Sequence, residues 1–452
     1  LDTWFSSWLW PFATMGWPEN TETLGKFYPT TDLVTAPDII FFWVARMIMA
    51  GYEYMGEMPF GNVYFTGIIR DKQGRKMSKS LGNSPDPLDL IARFGADALR
   101  FGIMRSAPLG QDILFDEKNV ELGRNFCTKL WNAARFRQMQ SSPPGSGGPD
   151  ENRQGLSNYF EAEISSALLT SDDKWILLRL NAAINEVTAA FGEYRFSDAT
   201  ATLYRFFWSE YCDWFVEASK ATLQGSDDAR KANTLAVIDF VLGHTLRLFH
   251  PFLPFITEEL WRGMGFNADL PENQGGKSIM FAPWPKPLNE DELAHFGVLP
   301  GHEQAANDKY RTVELGRGLK STFNINKRVR FVLKPNRELP AHEVEVLRIL
   351  LNAEPLEVNA AFAPPKGTPV ALAPLGELFL PLEGLIDVEA ERARVTKELA
   401  KADGELSKVR AKLGDENFTG KVPQKVLDEH RQREADWAGQ VEKLKGMMEA
   451  LG

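Results

Sequence analysis

The sequence predicts a multidomain chain, mixed α/β and then α, in four parts: a partial α/β fold over 1–115, a helical bundle over 116–295, a small α/β module over 296–384 and an antiparallel coiled-coil hairpin over 385–452. Three observations predict it. Short apolar, strand-like runs mix with helical stretches before about residue 115. Apolar residues then recur at spacings of three and four, the stripe that a packed helix needs. The last part repeats them in alternating steps of four and three, the heptad pattern of a coiled coil. At about 150 residues per domain, the 452 residues allow roughly three domains.

Taken in order, residues 38–51 read as a helix, and Thr35-Ala36-Pro37-Asp38 before it has the form of a capping box with Thr35 as N-cap. Asn62-Val63-Tyr64-Phe65-Thr66 reads as a buried strand, and this helix-then-strand order points to part of an α/β sheet. Residues 116–140 read as one long helix, and the Pro-, Gly- and Ser-rich stretch 141–149 as a flexible loop. Helical patterns resume at 172–194, 197–223, 229–249 and 252–264. Between the last two, His250-Pro251-Phe252-Leu253-Pro254-Phe255 reads as a helix end, a proline turn and an apolar packing motif. Arg328-Val329-Arg330-Phe331-Val332-Leu333 alternates as a half-buried strand does, and a further apolar run occupies 375–382. A Pro-, Gly- and Ala-rich loop lies between them at 360–368. Val395, Leu399, Ala402, Leu406, Val409 and Leu413 make the first seam of the hairpin. After a break at 414–422, Pro423 starts a second helix with Trp437, Val441, Leu444, Met448 and Leu451 on the same alternation.

Composition narrows the function classes. Hydrophobic residues at 44% and charged residues at 25% exclude a wholly disordered chain. The longest apolar stretch, 39–50, is interrupted by Arg46 and falls short of the roughly 20 residues that span a bilayer, so no membrane partner is expected. Cys127 and Cys212 belong to no CxxC pair, which excludes a disulfide framework or a cysteine-rich zinc site and makes the cytoplasm the expected compartment. His244 and His250 lack partners at metal-ligand spacing, and no structural metal is expected. The net charge of −10 argues against a polyanionic partner only weakly, because binding depends on where cations concentrate. Arg70, Lys72, Arg75, Lys76 and Lys79 crowd one loop against a single acid, Asp71, a pattern suited to holding phosphate at one place.

Within that loop, Lys76-Met77-Ser78-Lys79-Ser80 follows a strand and a turn containing Gly74. A Lys-x-x-Lys-Ser string alone reads more readily as a solvated basic turn. The full pentapeptide in this setting resembles the signature loop of class I aminoacyl-tRNA synthetases. Further along, Leu1-Asp2-Thr3-Trp4-Phe5-Ser6-Ser7, Asp38-Ile39-Ile40-Phe41-Phe42-Trp43-Val44-Ala45-Arg46-Met47 and Lys129-Leu130-Trp131-Asn132-Ala133-Ala134-Arg135-Phe136 resemble segments of the valyl-tRNA synthetases. Glu416-Asn417-Phe418 is similar to the hinge of their tRNA-binding arm.

The resemblance implies a fold, an activity and roles for particular residues. The first part would be the C-terminal portion of a Rossmann-type catalytic domain, and the bundle an anticodon-binding domain. The activity would be ATP-dependent activation of valine, with Mg2+, and transfer to valine tRNA, by a monomer. Lys76, Met77, Ser78, Lys79 and Ser80 would form the catalytic loop, two ammonium groups closing over the charge that grows on departing pyrophosphate. Trp4, Ile39 and Trp43 would line the valine pocket, Ile39 and Trp43 sharing a helix face at i and i+4. Plain core packing explains such spacing equally well. Asp38 would hold the adenosine ribose unless it only completes the capping box. Gly67 and Ile68 would lie beside adenine, and Thr66 stands where many relatives have histidine.

Lys118, Lys129 and Phe136, separated by 11 and 7 residues, share a helix face and are the candidates for the anticodon loop, with Trp131 and Phe126 turned into the bundle. A solvated face explains the lysines almost as well. The hairpin's near-balanced charge fits an arm that rests on tRNA by shape.

None of the six histidines lies in the first 115 residues, so the His-x-Gly-His type element that holds the ATP phosphates is not in this sequence. Nor is an editing insertion. Together with an opening Leu1-Asp2-Thr3 that lacks an initiator methionine, this reads as a fragment that is inactive alone. The competing readings are an isoleucine or leucine ligase fragment, and a noncatalytic tRNA-binding or assembly protein that retains these domains.

Overall fold

The computed structural model describes residues 2–140, 164–269, 277–365, 367–383, 388–419, 422 and 424–450. The expected loop at 141–149, Pro423 and Leu451 lie outside them. The chain divides into two compact units, Leu1–Phe215 with Asp228–Val298, and Val216–Asp227 with Leu299–Gly452.

In the first unit, helix α1 (Thr3–Trp8) begins at the Asp2 cap, and two parallel strands follow, β1 (Thr30–Thr35) and β2 (Phe60–Phe65), with Thr30 opposite Phe60 and Thr35 opposite Phe65. The connection between them is not the single α-helix expected. It runs as a 3-10 turn (Pro37–Ile39), a π-helical stretch (Ile40–Val44), helix α2 (Ala45–Ala50) and a second π-helical stretch (Gly51–Met55). Thr35 ends β1 rather than capping a helix, and the turn after it starts at Ala36 without a side-chain cap. The capping-box reading is therefore wrong, because strand pairing claims Thr35: its carbonyl accepts the N–H of Thr66 at 2.8 Å. The strand expected to be buried is half-buried at Val63, Tyr64 and Phe65, and Phe60 is the only fully buried residue of β2. Phe12, Leu24, Tyr28 and Ala50 form a small core covered in part by Trp8 and Trp17, while Trp4 and Trp10 remain exposed.

A second parallel pair, β3 (Ile69–Arg70) and β4 (Ile113–Leu114), brackets the basic loop and two helices, α3 (Pro87–Phe94) and α4 (Ala96–Arg105). Asp86 caps α3 through the N–H of Leu88, with Pro87 in the first turn. The long helix α5 (Glu117–Met139), capped by Asp116, crosses α4 with almost no space between backbones. A Cβ on Gly102 would lie 2.6 Å from the Asn119 carbonyl oxygen, and one on Gly123 would lie 2.4 Å from that of Ala98. This approach lets Phe101 stack on Phe126 at 4.9 Å, and Phe126 meets Phe249 at 5.0 Å.

The bundle continues with α6 (Ser171–Gly192), opened by a capping box of Thr170 and Asp173, then α7 (Phe196–Arg205), α8 (Asp228–Phe249) and α9 (Pro254–Gly263). The helix expected over 197–223 changes to π geometry at Phe206–Phe215, and its remainder, Val216–Leu223, belongs to the second unit. The histidine-proline run is a helix end, a turn and a new helix start. The buried Asp97 of α4 accepts the N–H groups of Phe255 and Ile256, at 3.3 and 2.7 Å, and so ties the start of α9 to the segment behind the basic loop.

The second unit holds α10 (Gly301–Thr322), α11 (Ala341–Leu351) and a mixed sheet in the order β6-β5-β8-β7. Its strands are β5 (Val329–Pro335), β6 (Ala353–Val358), β7 (Val370–Ala373) and β8 (Gly376–Phe379). β5 is buried at Val329, Phe331, Val332 and Leu333. Two long helices close the chain, α12 (Val388–Leu413) and α13 (Gln424–Ala450), with a single turn at Glu416–Thr419 between them. Arg410 pairs with Glu434 at 2.9 Å and Thr396 reaches the Met448 sulfur, so the two helices run antiparallel. Val395, Ala402, Leu406 and Val409 are buried on one helix and Val441, Leu444 and Met447 on the other. Among the described residues, no helix is long and apolar enough to cross a membrane.

The glycine crossing is testable. Gly123→Ala forces a methyl group onto backbone that cannot retreat, and should lower the unfolding free energy by about 1–3 kcal/mol in a urea titration followed by circular dichroism. An unchanged midpoint would mean that α4 and α5 separate freely.

Candidate functional site

The basic loop is organised around one carboxylate. Asp71 is buried, and its two oxygens accept four donors. Oδ1 takes the backbone N–H groups of Gln73 at 3.0 Å and Arg75 at 2.9 Å, and Oδ2 takes Arg75 Nε at 2.7 Å and Asn83 Nδ2 at 3.0 Å. The Asn83 amide, followed by the Arg75 groups, holds the Asp71 carboxyl down at about 2. Asn83 reaches across the rest of the loop, its Oδ1 accepting Ser78 N–H at 2.9 Å and its Nδ2 donating to the Lys76 carbonyl at 3.3 Å. Ser78 Oγ accepts the N–H of Leu81 at 3.2 Å and lies 3.1 Å from Ser80 Oγ.

These contacts sort the five cations. Arg70 pairs with Asp112, Lys72 with Asp116 at 2.9 Å, and Arg75 with Asp71. The Arg70 hydrogen bond lowers the Asp112 carboxyl, and the Lys118 N–H followed by Lys72 lowers that of Asp116. Among the described residues, the ammonium groups of Lys76 and Lys79 are left without an acidic partner, and Lys79 is exposed. Sequence reading counted one acid in the loop. The other two arrive from the far side of the β3–β4 pair, some 40 residues away. Asn83 was also missed, although its place just behind Ser80-Leu81-Gly82 was a usable signal.

Two of the three apolar candidates, Trp4 and Trp43, come together, and no helix face joins Ile39 to them. Because Ile40–Val44 is π-helical, Ile39 and Trp43 lose the i, i+4 alignment of an α-helix. Trp4 and Trp43 are joined instead by Arg46, only 8% exposed, whose guanidinium lies 3.0 Å from the Trp4 ring centroid and 5.2 Å from that of Trp43. Asp38 sits exposed in the turn after β1 with no capping duty. The Thr66 hydroxyl donates to the Thr35 carbonyl at 3.3 Å, so its side chain is engaged within the chain. A Cβ on Gly67 would fall 2.0 Å from the Gln111 carbonyl oxygen, which makes glycine obligatory there for packing alone.

On α5 the anticodon candidates separate. Lys118 is exposed and Phe136 half-buried. Lys129 pairs with Asp213 at 2.9 Å and sits 4.9 Å from the Trp208 ring, so its charge is already matched. Phe126 is fully buried, but Trp131 is 46% exposed. The expectation that Trp131 turns inward is wrong because the core stripe of α5 runs through Val120, Gly123, Phe126, Leu130, Ala133 and Ala134, leaving Trp131 at its edge. The exposed Arg135 lies one turn further along. Elsewhere, burial pushes the His244 imidazole down to about 3 and the Cys127 thiol up to about 12. Among the described residues, no group of three His, Cys, Asp or Glu could hold a metal ion.

Comparison with known proteins follows the same division. Residues 1–116 match the tRNA synthetases class I (I, L, M and V), and residues 173–334 match the anticodon-binding domain of tRNA ligase. Residues 387–452 match the valyl tRNA synthetase tRNA binding arm. A valine–tRNA ligase of Bacillus subtilis (strain 168) is 40% identical over 463 residues, taking in 100% of this chain and 49% of its own. One from Geobacillus stearothermophilus is 40% identical over 461 residues, with the same coverage of 100% and 49%.

Along its whole length the chain is similar to valine–tRNA ligases.

It spans about half the length of the curated relatives it matches. Its loop carries a pH signature. Because the folded Asp71 carboxyl lies at about 2, below its ordinary 3.8, the stabilisation it gives is complete above pH 4 and is lost as pH falls through about 2. The Asn83 side-chain amide resonances should therefore shift with a midpoint near pH 2. A midpoint near 4 would show that the Asp71 contacts do not persist in solution.

Proposed function

We propose that this chain forms part of a valine–tRNA ligase, which activates valine with ATP to valyl-adenylate and transfers the valyl group to the 3′ end of valine tRNA. The observation that carries the reading is the sorting of charge in the loop, where Lys76 and Lys79 remain uncommitted while Arg70, Lys72 and Arg75 are paired. In the reaction a valine carboxylate oxygen bonds to the α-phosphorus and the bond from that phosphorus to the β-phosphate oxygen breaks. Negative charge moves onto the leaving pyrophosphate, and two ammonium groups on one loop are suited to meet it there. Met77, Ser78 and Ser80 complete the loop, the serines as donors.

Part of the substrate pocket belongs to the same reading. Trp4, Ile39 and Trp43 border the valine side chain, with Trp4 and Trp43 fixed around Arg46. Asp38, free of any cap, is the acceptor for the ribose hydroxyls, and Ile68 packs beside adenine next to Gly67. ATP enters with Mg2+. On the RNA side, residues 116–295 read the anticodon and 385–452 form a coiled-coil arm against the tRNA body, with 296–384 as the linking module. Lys118 and Phe136 serve the anticodon, and Lys129 contributes only if it exchanges Asp213 for phosphate. The complete protein acts as a cytoplasmic monomer. The element that grips the ATP phosphates at the other end of a class I site is not in this sequence, so this chain alone should form no adenylate.

Two experiments test this. In the complete ligase, Lys79→Ala should slow valine-dependent ATP–pyrophosphate exchange by about 100-fold or more, and a rate within twofold of the parent would remove the loop from the chemistry. With this chain alone at fixed salt, changing the middle anticodon base of valine tRNA should weaken binding by about tenfold. Equal binding to both tRNAs would mean that the helical part does not read the anticodon.

A further inference from the structure

We propose that Asp71 and Asn83 are positioning residues that shape the signature loop before any nucleotide arrives. The inference deepens the loop reading above and rests on it. Residues 70–83 close as two rings that share one carboxylate. The first ring is the tight turn from Asp71 to Arg75, in which the Asp71 carbonyl accepts Gly74 N–H at 2.9 Å, the Arg75 carbonyl accepts Asp71 N–H at 3.0 Å, and Oδ1 gathers two further backbone donors. The second ring runs from Lys76 to Asn83 and is closed by the Asn83 amide, which touches the backbone on both sides of Met77 and returns to Asp71 Oδ2.

The rings fix the backbone at Lys76 and Ser78. Lys79 then sits on the short arc to Gly82, whose N–H donates to the Lys79 carbonyl at 3.2 Å. Asp71 has a second effect, since it engages Arg75 and keeps that guanidinium from joining the two free ammonium groups. A loop ordered by its own side chains need not be ordered by the nucleotide, so nucleotide binding energy goes to the transition state instead.

The polarity of the Asp71–Asn83 bond supplies the test. Asn83→Ala removes the bridge, and Asp71→Asn sets two amides against each other. The double variant Asp71→Asn/Asn83→Asp restores one N–H to carboxylate bond with its direction reversed. In this chain, hydrogen–deuterium exchange of a peptide covering 76–83 should speed up by about tenfold or more in each single variant and return toward the parent in the double variant. In the complete ligase, each single variant should lower kcat for pyrophosphate exchange about tenfold while the KM for valine stays within twofold, and the double variant should recover at least half of the loss on a logarithmic scale. Parent-like exchange protection in Asn83→Ala, or a double variant slower than both singles, would overturn the proposal. A clamp without catalytic meaning would change hydrogen exchange and leave kcat alone. Failure of Lys79→Ala to slow the reaction would instead strike the reading of the loop and leave the exchange result standing.

Discussion

The first unit depends on one close contact, the crossing of α4 and α5 through Gly102 and Gly123. Neither helix has a side chain at that point, so peptide groups of one helix lie against peptide groups of the other. The neighbouring aromatic core follows from that contact. It sets the Phe101–Phe126–Phe249 stack that begins the core of the bundle, and it holds the segment behind the basic loop against a helix that arrives more than 100 residues later in the chain. The Asp97 carboxylate adds a second tie on the same helix, satisfying backbone N–H groups at the start of α9 that would otherwise go unpaired. Loop and bundle are thereby connected through backbone, where packing gives little slack.

Much of this was legible in the sequence, and the failures have physical reasons. The long helix at 116–140 was readable because its cap and its apolar stripe agree, as Asp116 and the Val120 to Ala134 row show. The helix at 38–51 was misread in detail because π and 3-10 geometry leave no periodic mark over four or five residues. Local pattern also made Thr35 a cap, although a parallel partner 30 residues away holds it in a strand. The strands β6 and β7 escaped notice because four to six residues carry little pattern, and β6 contains Pro355.

The signature loop shows the same division. Its resemblance lies in five consecutive residues, which are legible as a string. Its electrostatics lay elsewhere, in Asp112 and Asp116, which no local count could associate with Arg70 and Lys72. Lys129 illustrates the converse: spacing put it on a face with Lys118, but Asp213 had already engaged its charge. Residue type and spacing announce a surface, whereas the partners that quench or free a charge are set by long-range folding. Trp131 belongs with these cases, since whether an aromatic at the edge of a stripe turns in or out depends on what the neighbouring helix offers.

The pairing of three of the five loop cations also bears on departure. A surface with five unmatched positive charges would hold pyrophosphate long after the bond to the α-phosphorus had broken. On the proposed reading, a surplus of two, on an exposed loop, would meet the charge while it forms and let a hydrated product go. Asp71, Asp112 and Asp116 would then set a dwell time, limiting how strongly such a loop competes with water for the leaving group.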